Sequence, residues 1–434
     1  MLKVSLPVGF VGKDGYTDSQ IRARAAVAEK TGIPIIPQVA LYGNGYNKEV
    51  VKKGVKDLKA ILGYDTDSKG LLVHEDYRTN VFFQEGLERA RRNMSYFQGQ
   101  NVAMFLIHFP KLLDYGLEGL LHQRTLSRLS EDFREHTKRA IFDKSPFNMG
   151  EYDGFVDKSV EAVLRAREYA KQNGFETALS LETVNAHDFI VVPSEQDLST
   201  YFGGREGFAK FLGEESQIKF MDRDHIGLER AIAGGIDLGG LTCSLDEING
   251  LSRRTNTNTC IDSEHLNIDH EISKKYNPEL LERMGYSLNE EEKGILKSRG
   301  FFLARGLPRI YNKPLDSENI AGNIENTCKV GHMTGGFEPE IRINGILVPG
   351  SHIGIDPESN FFAGDDKARE EWWSRTKGRI QRFAKLMEGN GVETIVLEPK
   401  LGTYVDGKFV ISHEEPYYSQ EMTKTVRNFI ELTK

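Results

Sequence analysis

Short runs of β-branched and apolar residues recur along the chain, and six of them end at a histidine or a carboxylate. Few polar positions interrupt these runs, a pattern typical of strands that are buried on both faces. Their terminal residues, in chain order, are His74, His108, Glu182, Asp262, His332 and Glu398. If the strands share one parallel sheet, all six side chains emerge at the same rim, and the pattern therefore predicts a common site.

The alternation of strands and helices predicts the fold. Eight strands are expected at residues 2–6, 35–41, 70–74, 102–109, 177–182, 257–262, 327–332 and 393–398. Amphipathic helical segments lie between most of them, at residues 18–31, 48–62, 79–96 and 154–173, and another precedes the final strand. Two of these helices stop at Gly174 and Gly391, as a left-handed C-terminal cap favours. Alternating units need parallel strands, and eight units predict an α/β fold, the (β/α)8 TIM barrel.

Two stretches are too long for plain alternation. We therefore expect a single TIM-barrel domain over residues 1–434 with two long insertions in the later loops, at approximately 187–256 and 266–326. Loops of this length usually carry function or form a lid. A small additional subdomain without a role in the site is the alternative, and the sequence leaves both open.

Composition narrows the functional classes. The chain has 56 basic and 64 acidic residues, a net charge of −8, which gives no support to a global polyphosphate-binding surface, although a local basic groove stays possible. The three cysteines, Cys243, Cys260 and Cys328, are scattered and do not form a disulfide framework. Without a signal-like or membrane-spanning apolar run, the expectation is a soluble cytoplasmic protein.

The strand-end residues suit a divalent cation. Glu182, Asp262, His332 and Glu398 offer three carboxylates and one imidazole, a mixed set that fits Mn²⁺, Mg²⁺, Co²⁺ or Zn²⁺. Each alone is more simply explained as a hydrogen-bonding partner of a loop, but an acidic cluster at one rim is costly without a cation. His265, three residues after Asp262, lies on the following loop and can bind substrate or a second metal.

The order of four short segments resembles a known superfamily. These are L-E-T around Glu182, C-I-D-S-E-H from Cys260 to His265, G-H-M around His332 and V-L-E-P around Glu398. The order is similar to that of the xylose isomerase-like TIM barrels, which include sugar isomerases, epimerases and the zinc-dependent abasic-site nuclease endonuclease IV. In the epimerase branch the resemblance implies one metal on Glu182, Asp262, His332 and Glu398. It also implies proton transfer by Glu182 and Glu398, and substrate contact by His265.

The endonuclease branch adds ligands for further metals. Its two early histidines resemble His74 in V-H-E-D-Y and His108 in I-H-F-P, which implies a second metal beside the first. It also uses an aspartate and a histidine two residues apart after the His332 position. Here that element resembles Gly350-Ser351-His352, so the aspartate is missing and a complete three-zinc cluster is not expected. His352 is then either a further ligand or a structural loop histidine.

The sequence favours a metal-dependent isomerase or epimerase that acts on a sugar or sugar derivative. A carboxylate on one face of the substrate removes a carbon-bound proton and its counterpart returns it, through a metal-stabilised enediolate. Paired glutamates and the acidic composition favour this interpretation. The alternatives are an endonuclease IV-like phosphodiesterase, which would bind nucleic acid, and a noncatalytic metal-binding barrel. The metal, the exact substrate and the oligomeric state are not predicted.

Overall fold

The computed structural model describes most of the barrel and parts of its loops. The described residues are 2–10, 16–41, 46–76, 79, 81–82, 84–108, 149–183, 199–200, 203–204, 206–207, 245–266, 290, 328–337, 340–349, 352–362, 364–399, 401–405, 408–411 and 416–434. Most positions of the two predicted insertions, together with Cys243 and Gly350, lie outside these residues.

Eight parallel strands close into a barrel, which confirms the predicted (β/α)8 fold. They are β1 (Lys3–Gly9), β2 (Ile35–Ala40), β3 (Leu71–His74), β4 (Val102–His108), β5 (Leu179–Glu182), β6 (Asn258–Asp262), β7 (Cys328–Met333) and β10 (Thr394–Leu397). Their order around the barrel is β1-β10-β7-β6-β5-β4-β3-β2. The eight predicted strands therefore correspond to the eight barrel strands, with ends that shift by up to three residues.

Two antiparallel hairpins extend the chain after the seventh and eighth barrel strands. One consists of β8 (Glu340–Ile343) and β9 (Ile346–Pro349), and the other of β11 (Gly402–Val405) and β12 (Lys408–Ile411). Both follow the C-terminal end of a barrel strand, β7 and β10 respectively. They therefore belong to the face of the barrel on which the strand-end residues lie.

Helices connect and cover the strands. They are α1 (Tyr16–Thr31), α2 (Lys48–Leu62), α3 (Thr66–Lys69), α4 (Gln84–Tyr96), α5 (Met149–Gln172), α6 (Leu245–Thr255), α7 (Asp366–Gly389) and α8 (Tyr417–Thr433). The bounds of α2 agree with the predicted helix, because Asn47 caps its first N–H groups and Gly63 ends it in the left-handed conformation (φ 66°). None of the helices within the described ranges is long and apolar enough to span a bilayer.

Strand periodicity separates the outer core from the barrel interior. Alternate residues such as Val4, Leu6 and Ile395 join the apolar layer beneath the helices. The intervening positions fill the interior, where Leu72, Leu106, Cys260, Val330 and Val396 form one cluster. Each of these five lies two residues before a strand-end histidine or carboxylate, and side chains two apart in a strand share a face. The chemical groups are therefore directed inward.

Candidate metal centre

The carboxylate of Glu182 lies at the centre of the site. Its Oε1 is 2.7 Å from Nδ1 of His332, and its Oε2 is 3.0 Å from Nε2 of His74 and 3.3 Å from Nε2 of His108. The side chain is only 1% exposed. The two oxygens of one buried carboxylate thus face two different sets of imidazoles, one from β7 and one from β3 and β4.

Two more carboxylates approach the same imidazole. Nδ1 of His332 lies 3.5 Å from Oε2 of Glu398 and 4.0 Å from Oδ2 of Asp262. Three sets of ligand atoms lie within 4.8 Å of one another among the described residues: His74, Glu182 and His332; Glu182, Asp262 and His265; and Asp262, His332 and Glu398. The structure therefore brings together all four residues predicted to share one metal.

The register of the strands explains how these residues meet. His108 pairs with Glu182 and Asp262 pairs with His332, directly across neighbouring strands. Glu182 itself pairs with Cys260, so Asp262 lies two residues further along the barrel axis. This stagger is the shear that closes a tilted barrel, and it turns successive strand ends toward a common centre.

Backbone carbonyls orient two of the histidines. Nδ1 of His74 lies 2.7 Å from the carbonyl oxygen of Glu75, and Nδ1 of His265 lies 2.6 Å from that of Thr183. A carbonyl oxygen can only accept, so Nδ1 carries the proton in both rings. Nε2 of His265 is then the atom that can bind a cation, whereas Nε2 of His74 donates to Oε2 of Glu182 and must lose that proton to bind one.

The charges of the site oppose one another. Burial alone would raise the pKa of Glu182, but His332 and His74 outweigh it and hold that pKa well below its ordinary value. Burial would lower the pKa of His332, yet its interactions with Cys260, Glu398 and Glu182 raise that pKa well above the usual range. Burial outweighs the same imidazoles at Glu398, whose pKa is raised. Of the two glutamates, Glu182 is therefore the one held as an anion, and Glu398 takes up a proton more readily.

His352 contributes to a neighbouring network instead of the three ligand sets of the described residues. Its backbone N–H donates to Oε2 of Glu264 at 2.6 Å, and its Nδ1 lies 3.2 Å from the carbonyl oxygen of Glu398. Its backbone is left-handed, with φ 56°. Its Nε2 lies 3.5 Å from Oε1 of Glu264, so these contacts connect the loop of His352 to Glu264 and Glu398.

Glu264 is a site neighbour that sequence reasoning missed. Its buried carboxylate also accepts the hydroxyl of Thr334, and burial together with Asp262 raises its pKa to about 7. It connects the loop after β6 to the residues after β7 and to His352. In the C-I-D-S-E-H segment Glu264 lies between Asp262 and His265, the two residues to which the sequence assigned a role. A carboxylate at this position is the one feature of the sequence that could have indicated it.

Comparison with known proteins gives structural similarity alone. No protein-family model matches the sequence, and no curated protein matches it. Solved structures that are similar include endonuclease IV from Thermus thermophilus (10% identity, TM-score 0.42, 99% of each chain covered). D-allulose 3-epimerase from Methylomonas sp. is also similar, with 10% identity, a TM-score of 0.44, and coverage of 99% of this chain and 98% of that chain. So is 3-keto-D-glucoside 4-epimerase from E. coli, with 10% identity, a TM-score of 0.41, and coverage of 99% of this chain and 100% of that chain.

Proposed function

We propose that the chain is an enzyme that hydrolyses phosphodiesters and depends on two divalent cations, which would share Glu182 as a ligand. One observation carries the proposal: Oε1 of Glu182 faces His332, whereas Oε2 faces His74 and His108. A carboxylate whose two oxygens face different imidazoles can offer one oxygen to each of two cations. Two-metal sites are typical of phosphatases and nucleases.

The residues fit such cations. Nδ1 of His332 is buried and makes no hydrogen bond of regular geometry within the described part of the chain, although three carboxylates surround it at 2.7 to 4.0 Å. A polar atom left in this way is costly, and so are clustered buried carboxylates without a compensating charge. One cation would be held by Glu182, Asp262, His332 and Glu398, and the other by Glu182, His74 and His108. The mixed oxygen and nitrogen donors suit Zn²⁺, Mn²⁺, Co²⁺ or Mg²⁺.

Glu182 is better suited to bridging than to proton transfer. Both of its oxygens contact imidazoles and its side chain is 1% exposed, so neither oxygen is directed to a substrate carbon. A general base must reach the proton that it removes. This geometry is the reason for preferring hydrolysis to the isomerisation that the sequence favoured.

The remaining residues bind and orient the substrate. When bound, the cations would supply the charge that acidifies water and offsets the negative charge of a phosphodiester. The side chain of Glu398, 16% exposed, faces the mouth more openly than Glu182 and can accept a proton there. His265, with its Nδ1–H fixed by Thr183, presents Nε2 as an acceptor for a substrate hydroxyl or as a further ligand.

A sugar isomerase or epimerase is the second candidate. Glu182 and Glu398 approach the same atom, Nδ1 of His332, from strands separated by β6 and β7. Two carboxylates on either side of a bound sugar are the arrangement that proton exchange requires. The net charge of −8 also gives less support to a nucleic acid than to a small sugar-like substrate.

Metal stoichiometry and turnover together test the proposal. Purified protein would be loaded separately with Zn²⁺ and Mn²⁺, and bound metal per chain measured by elemental analysis. We expect two cations in the wild type and one in the double variant His74→Asn, His108→Asn. The wild type should cleave duplex DNA that contains an abasic site, and the double variant should not.

The isomerase outcome is distinct. It would be a single cation in the wild type, together with interconversion of ketoses that survives in the His74→Asn, His108→Asn variant. If substitution of Glu182 did not weaken the binding of either Zn²⁺ or Mn²⁺, both catalytic candidates would be contradicted. This result would favour the noncatalytic alternative only if another ion were bound.

A further inference from the structure

Gln38 contacts the site from a strand that supplies none of the proposed ligands. It lies on β2, and its side chain is fully buried in the barrel interior. Its amide Nε2 is 2.9 Å from Nε2 of His332, the ring nitrogen opposite the one that faces the carboxylates. The other end of the amide, Oε1, is buried and has no hydrogen-bond partner among the residues that the structure describes.

The amide of Gln38 acts on the ring nitrogen of His332 that lies opposite the carboxylates. An amide N–H can only donate, so Nε2 of His332 accepts in this arrangement and the neutral ring is protonated on Nδ1. Nδ1 is the atom that lies beside Glu182, Glu398 and Asp262. A protonated Nδ1 has no lone pair for a cation, so this orientation of Gln38 and a cation on His332 exclude one another.

We infer that Gln38 is a positioning residue that selects the tautomer of His332 through the orientation of its amide. A half-turn of the amide brings Oε1 to face Nε2 of His332. Oε1 then accepts the Nε2–H, which leaves the lone pair on Nδ1 for a cation. The inference rests on the proposed metal site. It also gives a role to an acceptor that is otherwise buried and unused, a condition that costs free energy.

The contrast with the other oriented histidines supports this role. His74 and His265 donate to backbone carbonyls, which cannot become donors and therefore fix a single tautomer. The side-chain amide of Gln38 can present either a donor or an acceptor to the same ring nitrogen. Outer hydrogen-bond partners of this kind typically change metal affinity by about 10–100-fold.

Two substitutions of Gln38 distinguish the effect of its hydrogen-bond acceptor from the effect of its side-chain volume. Gln38→Met keeps the approximate size and removes the acceptor, whereas Gln38→Glu keeps an acceptor and removes the donor. Ser5→Ala is the control, because Ser5 lies on the neighbouring strand, is buried, and has a hydroxyl that finds no hydrogen-bond partner in the described ranges. Zn²⁺ affinity would be measured by competition with a chromophoric chelator. We expect Gln38→Met to weaken binding by about 10–100-fold, and Gln38→Glu and Ser5→Ala not to weaken it.

Nitrogen-15 NMR of histidine-labelled protein gives a readout that does not depend on activity. At a pH where the ring is neutral, His332 of the zinc-free wild type should be protonated on Nδ1. Addition of Zn²⁺ should move the proton to Nε2. In Gln38→Glu, Nε2 of His332 should carry a proton even without Zn²⁺, so this variant tests the role of Gln38 if Gln38→Met does not fold.

The outcomes distinguish the inference from the function on which it rests. Unchanged Zn²⁺ affinity in Gln38→Met, or a zinc-free His332 in Gln38→Glu whose Nε2 carries no proton, would overturn the role of Gln38 and leave the metal site intact. Absence of Glu182-dependent Zn²⁺ binding in the wild type would instead remove the proposed function.

Discussion

The hydroxyl oxygen of Thr183 accepts the backbone N–H of Asp262 at 2.8 Å, across the ends of β5 and β6. The carbonyl oxygen of the same threonine lies 2.6 Å from Nδ1 of His265. Thr183 is completely buried. A single residue next to Glu182 therefore fixes both polar residues of the D-x-x-H element.

Thr183→Val should weaken the site more than its small change in shape suggests. Valine has nearly the same volume but no acceptor, so the buried N–H of Asp262 would lose its partner. A buried donor left unsatisfied costs about 1–3 kcal/mol. Urea unfolding should show a loss of this size, and Zn²⁺ titration should show weaker binding. Thr183→Ser retains the hydroxyl and is the control; equal Zn²⁺ affinity in the two variants would argue against this role.

Glu398→Gln should weaken cation binding with little change in the fold. The substitution removes a negative charge 3.5 Å from Nδ1 of His332. We expect at least about a tenfold loss of Zn²⁺ affinity, a scale that loss of a supporting group alone can reach. Glu393→Gln is the matched control, because Glu393 lies just before the other end of the same strand and pairs with Lys3 on the surface. A loss of affinity in both variants would indicate a general effect of charge.

The barrel and the strand-end residues could be predicted because one periodicity determines both. A strand that is buried on both faces is apolar almost throughout, so a polar residue at its end stands out, as Glu182 and Asp262 do. Because side chains alternate between the two faces of a strand, the position of this residue then determines whether it faces the barrel interior or the helices. No knowledge of distant contacts is needed for either step.

The residues that orient the ligands could not be found in this way. Gln38 lies inside a strand, and its contact with His332 depends on the closure of the barrel, which brings β2 near β7 across the interior. Thr183 acts through one hydroxyl and one carbonyl, and a sequence pattern does not distinguish it from an ordinary threonine after a strand. Such roles depend on tertiary geometry alone.

One missed element did have a local signal. The β8–β9 hairpin turns at Asn344-Gly345, where both residues have positive φ angles of 49° and 81°. Asn-Gly between two short strands is typical of this turn, because both positions need the left-handed conformation. Helix α6 was also missed, because it lies within residues 187–256, which the sequence analysis assigned to the first insertion.

Gly54→Ala should destabilise the barrel although alanine is the better helix former. A Cβ at Gly54 in α2 would lie 2.5 Å from the ring of Phe10, which follows β1 and is fully buried. Overpacking of this kind costs about 1–3 kcal/mol. Gly250→Ala in α6 is the control, because a Cβ there meets no atom within 4 Å. Thermal unfolding should show a lower midpoint for Gly54→Ala and, for Gly250→Ala, a gain of about 0.5–1 kcal/mol. Equal shifts in both would show that packing against Phe10 is not decisive.

The contribution of Asp365 to the stability of the protein should be lost in acid. Its Oδ2 accepts the N–H of Asn344 in the β8–β9 turn, and its Oδ1 caps α7 by accepting the N–H of Ala368. These two hydrogen bonds, that of Asn344 first, lower the pKa of Asp365 below its ordinary 3.8. A lowered folded-state pKa means that the stabilisation is complete above the unfolded value and is lost as the pH falls through the folded one.

Asp365→Asn should therefore reduce stability at pH 7, where the wild-type carboxylate is fully ionised, and the difference should shrink below about pH 4. Urea midpoints at pH 7, 5 and 3 would measure it. Asp366→Asn is the control, because the neighbouring carboxylate forms a surface ion pair with Arg369 and, among the described residues, accepts no backbone N–H. A difference between wild type and Asp365→Asn that stays constant from pH 7 to pH 3 would mean that the amide hydrogen bonds do not depend on the charge of Asp365.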